Sequence, residues 1–210
     1  MKIPAYDSIY LSKAARTMGN MLHDAVYVFE QDGDQFLHRF IQSDIAEQIE
    51  DGNPKYVAGH SGIKLYIEVE ERTSGKEIQP ILIETYDRSD AYWVGWALAH
   101  YQWYTGRRFK DILEVVPYRD WMGLYKTLHE ADIRKVYDVL DAHMEDADSK
   151  LKQIRKRCGL TQEELAEISG VSLNTIRAYE RRAKDIGKAQ VDILMKLAAA
   201  LKCEVVDIIE

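Results

Sequence analysis

Four side chains on one side of a predicted helix, residues 173–182, could read the base edges of DNA. The Asn174 amide could bond adenine through two hydrogen bonds, and the Arg177 guanidinium could bond guanine in the same way. The apolar atoms of Leu173 and Ala178 suit contact with a thymine methyl group. Because each good bidentate pair discriminates between bases by roughly 1–3 kcal/mol, we expect this face, with Arg181 at its end, to recognise a sequence.

Residues 151–210 are predicted to form the five short helices that position this face. Thr161 and Glu164 have the spacing of a capping box at the start of a helix. Gly170 suits the left-handed position of a tight turn, and Ser172 caps the helix that follows. The helical period places Val171, Ile176 and Tyr179 on the inner side, and we expect them to pack on Leu165, Ala166 and Ile168.

This region resembles the xenobiotic-response-element family of helix-turn-helix proteins, which includes phage repressors, Cro proteins and many antitoxins. The matching stretches are Leu160 to Ala166, Gly170 to Ile176, Tyr179-Glu180 and Leu194 to Leu201. The resemblance implies that Gln162 binds a phosphate or a base edge. It also implies that Ser172, Leu173, Asn174, Arg177 and Ala178 face the groove.

The loop after Tyr179-Glu180, residues 181–189, is longer than is usual in this family. We expect its basic side chains to meet the DNA backbone. Together, the motif, the face and the loop predict these DNA contacts: Thr161, Gln162, Ser172, Leu173, Asn174, Thr175, Arg177, Ala178, Arg181, Arg182, Lys184 and Lys188.

Charge is distributed unevenly along the 210 residues. Residues 149–210 carry twelve Lys or Arg and nine Asp or Glu, a net charge of +3, whereas residues 1–148 carry sixteen and twenty-six, a net charge of −10. Since DNA attracts basic surfaces and repels acidic ones, only the C-terminal part is expected to touch DNA.

The composition, 46% hydrophobic and 30% charged, is that of a globular protein. No apolar run approaches the ~20 residues that a membrane span needs, and no signal-peptide core follows Met1. We therefore expect a cytoplasmic protein. Cys158 and Cys203 have no metal-site spacing and are expected in the core. No metal or cofactor is predicted.

The apolar periodicity predicts an all-α protein with two domains, residues 1–146 and 149–210. A first helix is expected over 12–29 and a second over 36–49. Five more helices are predicted in the N-terminal domain, over 62–73, 92–104, 109–116, 118–128 and 132–144.

The helix over residues 92–104 is dense in aromatic side chains. Trp93, Trp96 and His100 share one face at helical spacing, with Trp103 close to it. Core packing explains most of these rings, but one face cannot bury so many, so we also consider a partner-binding or ligand-binding surface. Fragments 52–56, 92–96 and 101–106 resemble helical domains of antitoxin-like regulators from Firmicutes.

Two residues of the first helix raise an enzymatic alternative. Arg16 and His23 lie seven residues apart, a spacing that resembles the Arg and His signature of certain helical ribonucleases. There the His would act as a general base and the Arg would hold the phosphate. A zinc-protease reading of His129-Glu130 fails, because Ile133 stands where the second His would be needed.

The sequence thus favours a DNA-binding transcriptional regulator, a homodimer on two half-sites about one helical turn apart. In the preferred version it is an antitoxin-type repressor, whose N-terminal domain binds a cognate toxin protein. A regulator that senses a small ligand is the alternative, and a ribonuclease-like enzyme is the more remote one.

Overall fold

Helices make up all the regular structure of residues 4–75, 78–79 and 88–209, which are the residues that this computed structural model describes. None of these residues lies in a β-strand, so the predicted all-α class is confirmed. A bilayer-spanning helix is also absent from these ranges, since each helix there is too short or too polar.

The chain divides into two compact units, here called the N-terminal unit, Met1–Asp141, and the C-terminal unit, Ala142–Glu210. The helix α9, Ile133–Ala147, runs across this division. The helices of the N-terminal unit that precede it are α1 Leu11–His23, α2 Gly33–Gln42, α3 Ile45–Glu50, α4 Pro54–Val57, α5 Gly62–Ser74, α6 Asp90–Thr105, α7 Phe109–Val115 and α8 Tyr118–Leu128. A 3-10 helix, Ser8–Tyr10, precedes α1, and a π-helix, Asp24–Val28, continues it.

The single helix predicted over residues 36–49 is wrong, because α2 and α3 are separate helices. The Ser43 hydroxyl donates to the Phe40 carbonyl oxygen at the end of α2. Asp44 then adopts a left-handed conformation with φ of 63°, which an aspartate tolerates better than most residues. The apolar period continues through the break, so the sequence pattern alone concealed it.

The core of the N-terminal unit is organised around the close packing of α1 against α6. A Cβ atom added at Gly95 would lie 2.4 Å from the Met18 carbonyl oxygen, and one at Gly19 would lie 2.8 Å from the Tyr92 ring. The two glycines therefore let the helix backbones approach closely. The Ser89 side chain caps α6, where it accepts a hydrogen bond from the Tyr92 amide.

A compact polar network lies between α4 and α5, centred on Glu68. The Glu68 carboxylate accepts hydrogen bonds from the Tyr56 hydroxyl at 2.8 Å and the Arg72 guanidinium at 2.6 Å, and it lies 2.8 Å from Nε2 of buried His60. Burial alone would raise the pKa of Glu68, but these hydrogen bonds and the charge of Lys55 lower it to about 2.

The C-terminal unit contains five helices after α9. They are α10 Lys150–Arg157, α11 Gln162–Ser169, α12 Leu173–Glu180, α13 Val191–Leu201 and α14 Val205–Ile208. A 3-10 helix, Ile186–Lys188, interrupts the loop between α12 and α13. The predicted five-helix architecture of this region is confirmed.

Three side chains of the C-terminal unit are less buried than the sequence predicted. Ile168 is 58% exposed, and Ser169 is buried instead, where its hydroxyl donates to the Leu165 carbonyl oxygen. Cys158 is exposed and Cys203 is only partly buried. Ile168 lies in the last turn of α11 and Cys158 is the C-cap of α10. At such helix ends the helical period no longer determines the side chain's direction. Cys203 lies just beyond the cap of α13.

Candidate nucleic-acid interface

The helices α11 and α12 and the turn between them have the local geometry that the sequence predicts. Thr161 and Glu164 form a reciprocal capping box at the start of α11. Gly170 ends α11 with φ of 67°, the left-handed conformation that favours glycine. The Ser172 hydroxyl then accepts a hydrogen bond from the Thr175 amide and begins α12. These caps determine where each helix starts and therefore which side chains share a face.

A common core holds α11 and α12 together. Leu165, Val171, Ile176 and Tyr179 are buried in one cluster with residues of the other three helices, and Ala166 packs partly against it. Burial of one side of α12 leaves the opposite side with Asn174 as its most accessible member. The expected packing of α12 on α11 is therefore present, except at Ile168.

The side chains predicted to face the groove differ in exposure. Ser172 and Asn174 are exposed, whereas Leu173, Thr175, Arg177 and Ala178 are half-buried. Ser172 and Thr175 are already engaged with each other, since their hydroxyl oxygens lie 2.8 Å apart. At the start of α11, Thr161 is exposed and Gln162 is half-buried.

A continuous hydrogen-bond network joins the core of this unit to the predicted reading face. It begins at a buried ion pair, in which Nε and Nη2 of Arg155 donate to the two Glu180 carboxylate oxygens at 2.6 and 2.9 Å. The Glu180 carboxylate also accepts from the Gln162 side-chain amide at 2.7 Å. Gln162 in turn accepts from Nε of Arg177 at 3.3 Å.

Glu163 is a second partner of Arg177 on α11. Its carboxylate accepts from Nη2 of Arg177 at 2.9 Å. Sequence reasoning assigned no role to Arg155, Glu180 or Glu163. The pair Tyr179-Glu180 belongs to the quoted motif and could have pointed to Glu180, but no local spacing signals that Glu163 and Arg177, fourteen residues apart, would meet.

The long loop after α12 is basic and accessible. Arg181, Arg182, Lys184 and Lys188 are all exposed. Arg182 has a left-handed backbone with φ of 55°, and Lys188 forms an exposed ion pair with Asp185 at 3.3 Å. The loop thus places cations at the surface, where they could meet phosphates.

Two lysines of α10 are paired within the unit. The buried Asp148 carboxylate accepts from Lys152 and Lys156, each at 2.5 Å. Burial alone would raise the pKa of Asp148, but the hydrogen bonds from these lysines lower it below the usual value. These ion pairs hold Asp148 against α10. They also neutralise part of the positive charge that α10 could offer to a ligand.

The four aromatic residues proposed as a partner surface do not form one exposed patch. Trp93 is buried and contacts the Tyr125 ring edge-on, while the half-buried Trp96 lies 4.2 Å from the His100 ring. Trp103 is engaged elsewhere, since its Nε1 donates to the Tyr6 carbonyl oxygen at 2.8 Å. Burial lowers the pKa of His100 to about 4, so this imidazole is neutral at pH 7.

Trp93 and Trp96 line an open groove of about 450 Å³ together with Tyr92 and Tyr125. Arg88 and His129 also lie at this groove. Its mixture of aromatic walls and basic groups could accommodate a small molecule or a side chain of another protein.

The proposed ribonuclease pair consists of one exposed and one engaged residue. Arg16 is exposed on α1. Nδ1 of half-buried His23 lies 2.8 Å from the Ser89 hydroxyl oxygen, and its ring stacks on Tyr27. The described residues contain no group of three or more His, Cys, Asp or Glu side chains that could hold a metal ion.

Comparison with known proteins identifies the C-terminal unit. Residues 151–208 match the family model described as Helix-turn-helix. Searches of curated proteins and of solved structures find no match for the chain. The matched segment comprises α10 to α14, which include the capping box, the glycine turn and the common core. The C-terminal part of this chain is therefore a helix-turn-helix domain of the Cro/C1 type, the DNA-binding domain of a transcription regulator.

Proposed function

We propose that residues 149–210 bind a specific DNA sequence with α12 in the major groove. One observation carries this proposal: Asn174 and Arg177 lie on the accessible side of α12, while Ile176 and Tyr179 are buried on the other side. An amide and a guanidinium are the groups that pair bidentately with adenine and guanine. Leu173 and Ala178 flank them with apolar atoms.

Phosphate contacts would surround this reading face. The start of α11, with Thr161 and Gln162, offers backbone N–H groups and the positive end of a helix dipole. Ser172 and Thr175 stand at the corresponding end of α12. The loop cations at Arg181, Arg182, Lys184 and Lys188 would supply the sequence-independent attraction on which most affinity rests.

The DNA-reading test uses the full-length chain and a random-sequence duplex pool, from which the wild-type protein selects its preferred duplex. Replacing both Asn174→Ala and Arg177→Ala removes the two bidentate pairs. We expect specific affinity to fall by about a hundredfold or more, since each pair is worth roughly 1–3 kcal/mol. Affinity for a random duplex should fall far less.

Arg157→Ala is the control, because Arg157 is exposed on α10 and its loss removes the same charge as the loss of Arg177. It should leave the ratio of specific to random binding unchanged. A double variant that still selects and binds the same duplex as the wild type would refute the assignment of α12.

A homodimer would place two reading heads on adjacent half-sites. Its support is a group of exposed apolar side chains in the C-terminal unit, Ile168, Val191, Met195 and Val206. Val191 and Met195 lie four residues apart on α13 and so share a face. Sedimentation of the wild type against Met195→Glu tests this, and a wild type that is monomeric at working concentrations on and off DNA would contradict it.

For the N-terminal unit we propose binding of a partner protein, which in an antitoxin-type repressor is the toxin of the same operon. The net charge of −10 on residues 1–148 supports a role away from DNA. Co-expression with the product of the neighbouring gene should yield a stable complex, and failure to co-purify would count against this version.

A ligand sensor is the second candidate, favoured by the groove lined by Trp93, Trp96 and Tyr125. In that version a small aromatic ligand would quench tryptophan fluorescence and change operator affinity together. No specific observation favours the ribonuclease alternative at Arg16 and His23.

A further inference from the structure

The guanidinium of Arg177 has two hydrogen-bonding edges, and the protein uses only one of them. Nε donates to the Gln162 side-chain oxygen at 3.3 Å and Nη2 donates to the Glu163 carboxylate at 2.9 Å. Both bonds lie on the side edge formed by Nε and Nη2. Within the described part of the chain, Nη1 has no hydrogen-bond partner, and the side chain is 38% exposed.

The unused edge is the one suited to a base. Nη1 and the second hydrogen of Nη2 form the end of the guanidinium fork, which has the geometry for two parallel hydrogen bonds. Guanine presents two acceptors, O6 and N7, at matching separation in the major groove. The side edge can therefore remain bonded to the protein while the end edge contacts guanine.

The orientation of the Gln162 amide is dictated from the core. Its nitrogen donates to Glu180 at 2.7 Å, and an ionised carboxylate can only accept hydrogen bonds. Glu180 is itself held by buried Arg155, and the side chains of this pair are 1% and 9% exposed respectively. The amide oxygen must then face Arg177, because a flipped amide would place that oxygen against the Glu180 carboxylate.

We propose that Glu163 is a positioning residue, which together with Gln162 holds Arg177 ready for end-on contact with guanine and thereby raises sequence discrimination. This inference rests on the proposed reading of DNA by α12. Holding a long side chain in its bound geometry reduces the conformational entropy lost on binding. The same carboxylate repels phosphates. Glu163 therefore lowers the affinity for DNA of any sequence while it raises the discrimination between sequences.

The test measures discrimination and overall affinity separately. Dissociation constants are determined for three duplexes: the duplex selected by the wild type, the same duplex with its Arg177-dependent guanine replaced, and one of random sequence. The Arg177-dependent guanine is the position at which Arg177→Ala abolishes discrimination. The full-length variants are Glu163→Gln, Glu163→Ala and Arg177→Ala.

Both Glu163 variants should reduce discrimination at this guanine by about three- to tenfold, the scale of one ordinary hydrogen bond, since Glu163 and Arg177 are both partly exposed. Their affinity for the random duplex should stay equal or become about twofold tighter, because a negative charge is lost. In the Arg177→Ala background, Glu163→Gln should leave discrimination unchanged. A purely structural role for Glu163 would instead weaken binding to all three duplexes alike.

Glu167→Gln is the matched control, since Glu167 is exposed one turn further along α11 and makes the same charge change. It should not alter discrimination. Unchanged or increased discrimination in the Glu163 variants would overturn the inference while leaving the proposed function intact. If the wild type selects no duplex, or no position depends on Arg177, the proposed function fails and this inference fails with it.

Discussion

Each unit of this protein contains a network of charged side chains around a carboxylate, but the two networks end differently. In the N-terminal unit, Glu68 is surrounded by Tyr56, His60 and Arg72. Arg72 also donates to the Tyr56 hydroxyl and to the Ser43 carbonyl oxygen, so this network closes on groups of the same unit. In the C-terminal unit, the network runs outward from the buried Arg155 and Glu180 to Arg177, whose end edge has no partner in the described structure.

This difference in how the two networks end indicates that the first serves stability and that the second could also bind a ligand. A closed network is accounted for by stability alone, because its side chains bond to one another and to the backbone of the same unit. An open network that ends at an accessible guanidinium leaves donors for the acceptors of a ligand, which under the proposed function are base edges of DNA. The aromatic helix α6 follows the first pattern, since burial and internal contacts account for most of its rings.

The largest effect is expected from breaking the inner end of the open network. Arg155→Met leaves the buried Glu180 carboxylate without its cation, and removing one partner of a buried pair costs about 3–5 kcal/mol. Hydrogen exchange of α11 and α12 amides, followed by mass spectrometry, should show protection reduced by this free energy.

Arg157→Met is the control for this change, because Arg157 is exposed on the same helix. It should leave exchange nearly unaltered. Equal protection in the two variants would mean that the buried pair does not anchor the network, and the contrast between the units would lose its basis.

The closed network should make the N-terminal unit sensitive to acid. The pKa of Glu68 is about 2 in the folded state and near 4.3 when unfolded. A depressed pKa stabilises the fold above pH ~4.5, and this stabilisation is lost as pH falls towards 2; it amounts to at most ~3 kcal/mol. In Glu68→Gln, the free energy of unfolding should therefore depend less on pH in this window.

Urea unfolding followed by tryptophan fluorescence measures this effect in the N-terminal unit alone, since the four tryptophans of the chain, Trp93, Trp96, Trp103 and Trp121, all lie there. Glu71→Gln, an exposed change on the same helix, should keep the wild-type pH dependence. If the free energy of unfolding varied with pH equally in the wild type and in Glu68→Gln between pH 2 and 4.5, the lowered pKa of Glu68 would be contradicted.

The smallest effect concerns the packing of α6. Gly95→Ala places a methyl group 2.4 Å from the Met18 carbonyl oxygen, and overpacking of this kind costs about 1–3 kcal/mol. Gly123→Ala meets nothing within 4 Å in α8 and should stabilise the unit by about 0.5–1 kcal/mol. The same fluorescence measurement compares them, and equal effects would show that α1 and α6 can separate at little cost.

Prediction from sequence succeeded where the signals act over a few residues. The capping box at Thr161, the turn at Gly170 and the cap at Ser172 each depend on contacts three or four residues apart. Prediction from sequence failed at Asp44, because the apolar period continues through the break between α2 and α3. It also failed at Ile168, because the apolar period continues into the last turn of α11 although the side chain there is exposed. The helical spacing of Trp93, Trp96 and His100 could be predicted from the sequence. Their burial could not, because it depends on packing against α8 and α9.

The sequence by itself determined that this protein is helical and that its last sixty residues form a helix-turn-helix domain, since periodicity, caps and the turn glycine are local properties of the chain. Only the tertiary structure decided how Arg177 is held. Its partners Gln162 and Glu163 lie on another helix, and the amide is oriented by a buried ion pair between α10 and α12. Such an arrangement depends on the relative placement of three helices, which the core determines and local spacing does not reveal.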